Sequence, residues 1–364
     1  MSAPHVVLID GSGFIFRAFH ALPPMTRPDG VPVNAVFGFT NMLAKLLREH
    51  VGTHLAVIFD AGRHTFRNRL YDRYKAQRPE PPEDLRPQFA LVREATAAFG
   101  VPAIELADWE ADDLIASYAR EAVANGGRAT IISSDKDLMQ LLRPGVEMLD
   151  PIKQKPIGPA EVMEKFGVAP EKLIDVQALM GDSVDNVPGV PGIGPKNAAQ
   201  LIGEYGDLEH VLAAAPSMKP SKRREMLIAH ADAARLSRQL VLLRDDVPLP
   251  MPLGELGVRE PDKGRLADWL RTQGFRSTLT RLGLDGHASG AAAAAGDKPA
   301  APEAAAPAIA FGPYECVTTA EALQGWIAAS REAGVVAVDT ETDSLDAMRA
   351  QLVGFSLATA PGHA

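Results

Sequence analysis

The sequence predicts an α/β protein with a mostly parallel central sheet that carries helices on both faces. The strand signal comes from three short β-rich runs: His5 to Asp10, His54 to Asp60 and Arg128 to Ser134. Helical periodicity separates these runs, around residues 34–50, 83–99 and 110–125. Because alternating strands and helices form crossover units, the strands should run parallel and end at the same edge of the sheet.

Length and composition favour two or three domains, without a membrane span or a disulfide framework. The chain has 364 residues, of which 46% are hydrophobic, and a typical domain has about 150 residues. No apolar run approaches the ~20 residues of a membrane-spanning helix, and the N-terminus lacks the pattern of a signal peptide. The single cysteine, Cys316, excludes an internal disulfide and a thiolate metal cluster. We therefore expect a cytosolic protein whose metal ligands are oxygen or imidazole.

Shifts in composition divide the chain into four regions. Residues 1–158 carry the alternation of strands and helices, and residues 159–285 are helical with few strand signals. Residues 286–308 are almost all small residues and proline, which predicts a flexible linker. Residues 309–364 begin a second α/β pattern that stops before a domain could close. Its helix and its two strands are expected at 319–333, 335–339 and 351–358.

Nine carboxylates form clusters within the first 185 residues, and most of them end an apolar run or open a helix-like segment. They are Asp10, Asp60, Glu110, Asp112, Asp113, Asp135, Asp137, Asp182 and Asp185. A parallel sheet would bring most of them to one edge, where so much negative charge needs cations. Two divalent ions ~3.5–4 Å apart can activate a hydroxide and stabilise the leaving oxygen of a phosphodiester. This pattern predicts a metal-dependent nuclease.

Each acidic group also has a purely structural explanation. Glu110 and Asp113 share a face at a predicted helix start, where the helix dipole favours acidic residues. The pairs at 135–137 and 182–185 can cap turns, although neither has the ligand spacing and closing Glu of a calcium-binding EF-hand loop. Three acids in four positions exceed what capping requires, and the groups together favour a two-metal site.

The distribution of charge is compatible with a nucleic-acid partner, although the formal charge of the chain is −9. Residues 1–285 hold 34 Lys and Arg against 37 Asp and Glu. Without the nine clustered carboxylates the balance is 34 against 28, so the rest of this region is basic. From residue 286 onward there are 3 basic and 9 acidic residues.

Two segments have the character of nucleic-acid contacts. Arg63 to Arg93 contains eight basic and four acidic residues, with Tyr71 and Tyr74 among the interleaved aromatic residues. Cations can contact phosphates and aromatic rings can stack on exposed bases, but an ordinary solvated helix is the alternative. Gly189 to Asn197 predicts a tight turn before a helix start, where backbone N–H groups and Lys196 can grip a phosphate. A bare Gly/Pro loop is the alternative there.

Five motifs stand in a fixed order between residues 5 and 285. They are LIDGSGFIFRAFHALPP, VIFDAGRHTFRNRLYDRYKAQRP, WEADDLIA, SSDKDLMQL and LMGDSVDNVPGVPGIGPKNAAQLI. They resemble the motifs of the flap endonuclease family, in the form found in the N-terminal 5′ nuclease domain of bacterial DNA polymerase I. The resemblance implies a PIN-like fold and a 5′-3′ exonuclease and flap endonuclease that uses two divalent ions, Mg²⁺ or Mn²⁺.

The same resemblance implies partners and a location. The substrates would be DNA with a 5′ flap, a nick or a 5′ end, and RNA primer–DNA hybrids, in replication and excision repair. The expected form is a monomer in the bacterial cytoplasm, associated with the nucleoid and not with a membrane.

The resemblance also assigns roles by motif. All nine carboxylates would belong to the metal centre, with Asp10, Asp60, Glu110, Asp112 and Asp113 nearest the first ion and Asp135, Asp137, Asp182 and Asp185 around the second. Lys75, Arg78 and Arg17 would serve catalysis near the scissile phosphate. Tyr74, on a helical arch at about 63–93, would contact the 5′ strand. A helix-hairpin-helix at about 187–202 would bind DNA through Gly189, Gly192, Ile193, Gly194 and Lys196, and its backbone carbonyls would bind a potassium ion.

Residues 335–346 resemble the first motif of a proofreading 3′-5′ exonuclease domain, with Asp339 and Glu341 as its acidic pair. No Asp or Glu follows Asp346, so the later carboxylates of that exonuclease, and a polymerase domain, would be missing. The expectation is an N-terminal fragment or an incomplete reading frame, whose residues 309–364 lack 3′-5′ exonuclease activity. Two rivals stay open: a DNA-binding module without catalysis, and a free-standing flap endonuclease, which the linker disfavours.

Overall fold

The structure is a computed structural model that describes residues 3–49, 52–286, 315–343 and 351–360. It divides into two units, Met1–Ala294 and Ala295–Ala364. The predicted linker, 286–308, lies outside the described residues apart from Gly286. In these described ranges, no helix combines the length and the apolar character that a membrane crossing requires.

A six-stranded sheet forms the centre of the first unit. Its strands are β1 (His5–Asp10), β2 (His54–Ile58), β3 (Ala103–Ile104), β4 (Arg128–Ile132), β5 (Val146–Asp150) and β6 (Lys155–Ile157). They lie in the order β3-β2-β1-β4-β5-β6, and every neighbouring pair is parallel except β5 and β6. The mostly parallel sheet confirms the predicted fold class. The sequence located β1, β2 and β4 but did not reveal β3, β5 or β6.

Helices surround the sheet and make up most of the later part of the unit. The first five are α1 (Gly11–Ala21), α2 (Asn34–Glu49), α3 (Phe66–Leu70), α4 (Arg86–Ala98) and α5 (Ala111–Ala124). The next four are α6 (Pro159–Phe166), α7 (Leu173–Met180), α8 (Pro195–Tyr205) and α9 (Leu208–Ala214). The last four are α10 (Lys222–Ala229), α11 (Ala231–Val241), α12 (Lys263–Thr272) and α13 (Arg276–Arg281). Short 3₁₀ turns occur at Glu83–Leu85, Asp137–Leu141, Pro170–Lys172, Ala215–Ser217 and Leu253–Leu256.

Alternate residues of β1 belong to two separate cores. Leu8 packs in the core that contains Leu114 of α5. Ile9 packs in the core that contains Phe39 of α2 and side chains of α1 and α4. Because helices cover both faces of this central strand, β1 is a continuous apolar run. The double burial fixes the register of β1, and it thereby fixes the position of Asp10 at its end.

The strand order places a crevice at the carboxyl end of β1. The chain continues from β1 to β2 on one side and returns to β4 on the other side of β1. Open α/β sheets bind ligands at such a reversal, outside the carboxyl ends of the strands. Asp10 is the last residue of β1, and Asp135 follows shortly after β4. The topology therefore brings two of the predicted site residues to one place.

The region predicted as a helical arch, 63–93, is not one helix. Between α3 and α4 the chain forms consecutive turns. Lys75 in these turns has a positive φ of 54°, which interrupts a right-handed helix. Pro79, Pro81 and Pro82 follow, and they lack the N–H group that a helix interior requires.

The described part of the second unit contains a helix and a two-stranded antiparallel sheet. These elements are α14 (Ala320–Ala333), β7 (Ala337–Thr342) and β8 (Leu352–Ala358). Asp339 and Glu341 lie on β7, and both are exposed. Their assignment to an exonuclease motif stays a prediction.

Candidate metal centre

Asp10 lies at the junction of β1 and α1, where it caps the helix. Its Oδ1 accepts a hydrogen bond from the backbone N–H of Gly13 at 2.9 Å, and Ser133 Oγ donates to its Oδ2 at 2.8 Å. A Cβ at position 13 would lie 2.6 Å from Asp10 Oδ2. Glycine in the first turn of α1 therefore leaves the space that the carboxylate occupies.

Hydrogen bonds also tie the ends of β1 and β2 to the start of α5. Asp60 follows β2, and its Oδ1 accepts from the backbone N–H of Ala111 at 2.9 Å. Ser12, just after β1, accepts from the backbone N–H of Asp60 at 3.0 Å through its hydroxyl oxygen. Glu110 is the N-cap residue of α5. These bonds fix the backbone positions from which several predicted carboxylates project.

Eight of the nine predicted carboxylates line one cavity of about 450 Å³ at the carboxyl edge of the sheet. They are Asp10, Asp60, Glu110, Asp112, Asp135, Asp137, Asp182 and Asp185. We call this space the acidic cavity. The fold thus gathers side chains that are up to 175 positions apart in the sequence.

Burial and mutual repulsion oppose full ionisation of the acidic cavity. Burial, with smaller contributions from the charges of Asp135 and Asp60, raises the pKa of Asp10 to about 6. Burial and neighbouring carboxylates raise the pKa of Asp112 well above its usual range. Burial and the charge of Asp135 raise the pKa of Asp137 to about 6. A bound divalent cation would favour the ionised form of all of them.

Two cationic side chains enter the acidic cavity from the turns between α3 and α4. Lys75 Nζ lies 2.8 Å from Glu110 Oε1 and 3.7 Å from Asp185 Oδ2, and Arg78 forms an ion pair with Asp185. Burial acts to raise the pKa of Glu110, but the charges of Lys75 and Arg67 outweigh it and hold that pKa below its usual range. The predicted catalytic residues Lys75 and Arg78 therefore contact the carboxylates directly.

Lys136 is a cation of the acidic cavity that the sequence analysis did not single out. It forms an ion pair with Asp182. Burial acts to raise the pKa of Asp182, but the hydrogen bond from Lys136 outweighs it and lowers that pKa. Lys136 could have been selected from the sequence, because it lies between Asp135 and Asp137, which were both selected as candidate metal ligands.

The donor set of the acidic cavity fits hard divalent cations. Every candidate ligand is a carboxylate, a donor that suits Mg²⁺ and Mn²⁺. Among the residues that the structure describes, no group of three acidic residues stands close enough together to form a ready ligand set. Three cations lie among these carboxylates and pair with them: Lys75 with Glu110, Arg78 with Asp185 and Lys136 with Asp182. Ion binding would therefore require some of these ion pairs to open.

The raised pKa of Asp137 predicts a change in stability of definite sign. A carboxyl whose folded-state pKa lies above its unfolded value stabilises the fold at low pH, and that contribution is lost as pH rises through about 6. Asp137→Asn keeps an oxygen that can accept from Gln177 Nε2, as Asp137 does. It should raise the free energy of unfolding by roughly 1–3 kcal/mol at pH 7.5 in EDTA and change it little near pH 4. Urea unfolding at both pH values measures this, and equal stability at pH 7.5 would contradict it.

Asp113 stands apart from the other eight carboxylates. It is fully buried, and its two oxygens accept from the guanidinium of Arg67 at 2.7 and 2.8 Å. Its oxygens also accept from the backbone N–H groups of Glu110 and Arg244. Arg67 is 1% exposed and donates to the carbonyl oxygen of Leu240. This differs from the predicted place of Asp113 beside the first ion, because its oxygens are used to join α3, α5 and the segment after α11.

Two further predicted site residues lie elsewhere than expected. Tyr74 is 5% exposed, packs against Leu240, and donates through its hydroxyl to Glu110 Oε2 at 3.2 Å. Its ring is therefore not available to stack on a base in this arrangement. Arg17 is exposed on α1 but does not line the acidic cavity.

The turn between α7 and α8 contains both structural and exposed members of the predicted DNA-binding set. Gly189 is buried with a φ of 59°, and a Cβ there would lie 2.5 Å from a backbone nitrogen. Ile193 is 4% exposed and packs in the core, so its role in the turn is that of an anchor. Gly192 and Gly194 have open space where a Cβ would project, and Lys196 is exposed. These last three residues are the accessible ones.

A second cavity of about 670 Å³ adjoins the acidic cavity. The two share lining residues, among them Asp60, Lys75 and Glu110. The turns between α3 and α4 and the aromatic residues Phe59 and Phe89 form much of the remaining wall. Lys75 therefore lines both the acidic cavity and this second cavity.

Comparison with sequence families gives two adjoining matches. A family model described as the N-terminal resolvase-like domain of 5′-3′ exonucleases matches residues 5–167. A model described as the C-terminal SAM fold of 5′-3′ exonucleases matches residues 168–264.

Curated relatives include both longer and similarly sized proteins. The chain is 50% identical to a DNA polymerase I of Rhizobium leguminosarum, over 99% of this chain and 42% of the relative. It is 37% identical to a 5′-3′ exonuclease of Aquifex aeolicus, over 76% of this chain and 94% of the relative. The chain therefore spans less than half the length of the Rhizobium polymerase and most of the length of the Aquifex exonuclease.

Solved structures with a similar fold include two of bacteriophage T5. The T5 5′-exonuclease with bound zinc has a TM-score of 0.57 and 24% identity, over 65% of this chain and 89% of that one. The T5 flap endonuclease in a complex with DNA and metal ions has a TM-score of 0.55 and 22% identity, over 77% of this chain and 98% of that one. At this level of identity the likeness shows a shared fold.

Proposed function

Because the chain belongs to the 5′-3′ exonuclease family, we propose that it cleaves phosphodiester bonds of DNA at 5′ ends and 5′ flaps with two divalent metal ions. The observation that carries this proposal is the presence of eight carboxylates in one cavity at the carboxyl edge of the sheet. A protein that only bound DNA would be hindered by this negative charge, because it repels phosphates. Metal ions would reverse the sign of the local potential.

The two ions would be held by two halves of the acidic cavity. Residues near the ends of β1 and β2 and the start of α5 would hold the first: Asp10, Asp60, Glu110 and Asp112. Residues that follow β4 and α7 would hold the second: Asp135, Asp137, Asp182 and Asp185. When bound, Mg²⁺ or Mn²⁺ at such a site supplies Lewis-acid stabilisation of the charge that develops on a phosphodiester during hydrolysis.

Lys75 and Arg78 would orient the substrate strand. Both line the two adjoining cavities. Once metal ions neutralise Glu110 and Asp185, the two cations would turn to the phosphates of a DNA strand and offset the charge developing near the scissile bond. The second cavity, of about 670 Å³, would hold the 5′ strand beside them.

The turn before α8 would hold the duplex. Gly192 and Gly194 leave the backbone open, and Lys196 lies in the first turn of α8. Backbone N–H groups at a helix start and a lysine can bind phosphate oxygens without reading the base sequence. A potassium ion on carbonyl oxygens of this turn would add to the same contact.

The activity of the full-length protein is a further part of the proposal. The names of the polymerase relatives support a DNA polymerase I as the full-length protein. From the resemblance of the motifs we propose that it removes RNA primers in replication and takes part in excision repair. Its substrates would be flaps, nicks, 5′ ends and RNA primer–DNA hybrids. The bacterial source of these relatives supports a bacterial location, and the proposed form is a monomer in the cytoplasm beside the nucleoid. Asp339 and Glu341 would belong to a 3′-5′ exonuclease motif that is not active by itself.

A duplex with a labelled 5′ flap tests the proposal. In Mg²⁺ the protein should release short labelled 5′ fragments, and EDTA should stop the release. A filter-binding measurement on the same substrate shows whether the DNA is bound. Binding without cleavage in Mg²⁺ or Mn²⁺ would leave the DNA-binding module as the correct alternative.

We expect Lys75→Ala and Arg78→Ala to slow cleavage more than they weaken duplex binding. Each removes a cation that would stabilise charge near the scissile phosphate, so the single-turnover rate should fall about 100-fold. The salt slope of DNA binding should fall by about one unit for each phosphate contact that is lost. Rates and binding at several salt concentrations measure both effects.

Arg73→Ala is the matched control for this pair. Arg73 lies in the same turns and is exposed, but it lines neither cavity. It should leave the cleavage rate unchanged. If all three variants cleave equally well, Lys75 and Arg78 have no role in cleavage.

A further inference from the structure

Two segments beside the acidic cavity are docked on each other. We call residues 71–78, between α3 and α4, the arch turn, and residues 182–187, after α7, the acidic loop. Part of their contact is ionic. Lys75 and Arg78 of the arch turn pair with Asp185 of the acidic loop. This part depends on the charge of a carboxylate that is also a candidate metal ligand.

The rest of the contact is neutral. Gln77 Nε2 donates to the carbonyl oxygens of Ser183 and Val184, at 2.9 Å each. In the opposite direction, Asn186 Nδ2 donates to the carbonyl oxygen of Arg73 at 2.6 Å. No carboxylate oxygen takes part in these bonds. Their acceptors and donors therefore carry no charge that a bound metal ion would neutralise.

Backbone geometry shows that both segments are shaped for this contact. Lys75 and Asn186 have positive φ angles of 54° and 59°, a conformation that residues other than glycine rarely adopt. The backbone N–H of Lys75 donates to the carbonyl oxygen of Asp185 at 2.9 Å. The two unusual conformations thus meet within one short stretch of contact, as strained residues often do at functional sites.

We propose that Gln77 and Asn186 are positioning residues that keep the arch turn on the acidic loop after divalent ions have displaced its ionic contacts. The inference rests on the proposed metal-dependent function. Ions bound to Glu110 and Asp185 would cancel the attraction of these carboxylates for Lys75 and Arg78. The neutral hydrogen bonds then hold the backbone in place. The two cations stay beside the substrate while their side chains are released from the carboxylates.

Hydrogen exchange at the backbone N–H of Lys75 tests this inference without any cleavage. The test protein is the double variant Gln77→Met/Asn186→Gly, which removes both amide donors and places glycine where φ is positive. Gln77→Met alone serves as a second variant at an exposed position. The control is Ser183→Ala, because only the backbone carbonyl of Ser183 takes part in the contact. Each protein is measured in EDTA and in excess Ca²⁺.

In EDTA all four proteins, including the wild type, should protect Lys75, because the ionic contacts remain. In Ca²⁺ the wild type and Ser183→Ala should keep that protection. In Ca²⁺ the Lys75 N–H of the double variant should exchange at least about tenfold faster than that of the wild type. The rate for Gln77→Met should lie between these two, because each lost hydrogen bond lowers the equilibrium constant for docking of the arch turn several-fold. The cleavage rate of the double variant in Mg²⁺ should fall, while its affinity for DNA should stay that of the wild type.

Other outcomes separate this inference from the proposed function. Equal protection of the double variant and the wild type in Ca²⁺ would overturn the role of Gln77 and Asn186. Loss of protection in the wild type on adding Ca²⁺ would also overturn it, because the neutral bonds would then be insufficient. Calorimetric titration that shows no Ca²⁺ binding by the wild type would overturn the proposed metal site, and the inference with it.

Discussion

Asp135→Asn should slow flap cleavage about 1,000-fold in Mg²⁺ while leaving the fold at least as stable as the wild type. The charge of Asp135 bears on Asp10, Asp112 and Asp137 together, so it lies between the two halves of the acidic cavity. Removing it would weaken the hold on both proposed ions, and metal catalysis supplies several kcal/mol at about 1.4 kcal/mol per factor of ten. The side chain is exposed, so its loss leaves no buried partner unpaired.

Single-turnover cleavage, Ca²⁺ titration and urea unfolding measure the three parts of this prediction. Asp232→Asn is the control, because Asp232 is an exposed carboxylate on α11 that does not line the acidic cavity. It should cleave like the wild type. If Asp135→Asn cleaves within severalfold of the wild type, the two-metal proposal for this cavity is wrong.

Asp113→Asn should mainly destabilise the fold rather than remove a metal ligand. The substitution leaves the buried guanidinium of Arg67 without its full counter-charge, since Arg67 is 1% exposed and lies 2.7 Å from Asp113. Breaking one side of a buried ion pair costs about 3–5 kcal/mol. The free energy of unfolding should fall by about this amount, as measured by urea unfolding in EDTA at pH 7.5.

Asp112→Asn is the closest control for that effect. Asp112 is the preceding residue in α5, but it lines the acidic cavity, and burial among carboxylates raises its pKa. A group with a raised folded-state pKa costs stability above that pKa, so Asp112→Asn should not lower the unfolding free energy in EDTA. Equal destabilisation by both substitutions would show that the helix start, rather than the Arg67 ion pair, is what they disturb. The double variant Arg67→Met/Asp113→Asn should recover part of the lost stability, because it also removes the guanidinium that Asp113→Asn leaves without its full counter-charge.

The predictability of each strand follows from its length and burial. β1 and β4 are runs of five or six residues with strong apolar character, and they were visible in the sequence. β3 has only two residues, too few for any periodicity to appear. β5 and β6 are a hairpin at the sheet edge with polar positions in both strands. β5 buries Val146 and Met148 but alternates them with Glu147, and β6 has only three residues, so neither has the continuous apolar run that makes a strand visible in the sequence.

For the candidate site, the sequence could not predict contacts between residues that are far apart in the chain. The sequence placed Tyr74 among exposed cations, but the fold buries its ring and directs its hydroxyl to Glu110. It gave no role to Lys136, which forms an ion pair with Asp182 across 46 positions of the chain. Local patterns carry no information about partners so far away.

The sequence by itself determined which chemical groups are present and roughly where they are presented. It restricted the metal ligands to oxygen or imidazole, since the only cysteine is Cys316, and it placed carboxylates at the ends of strands that a parallel sheet would bring together. It could not distinguish Asp112 from Asp113, two adjacent residues of one type. Successive residues of a helix point about 100° apart, so the folded α5 turns Asp112 to the acidic cavity and Asp113 into the core beside Arg67. Only the tertiary structure decided that Asp112 can bind a metal ion from solution, whereas Asp113 already pairs with the Arg67 guanidinium.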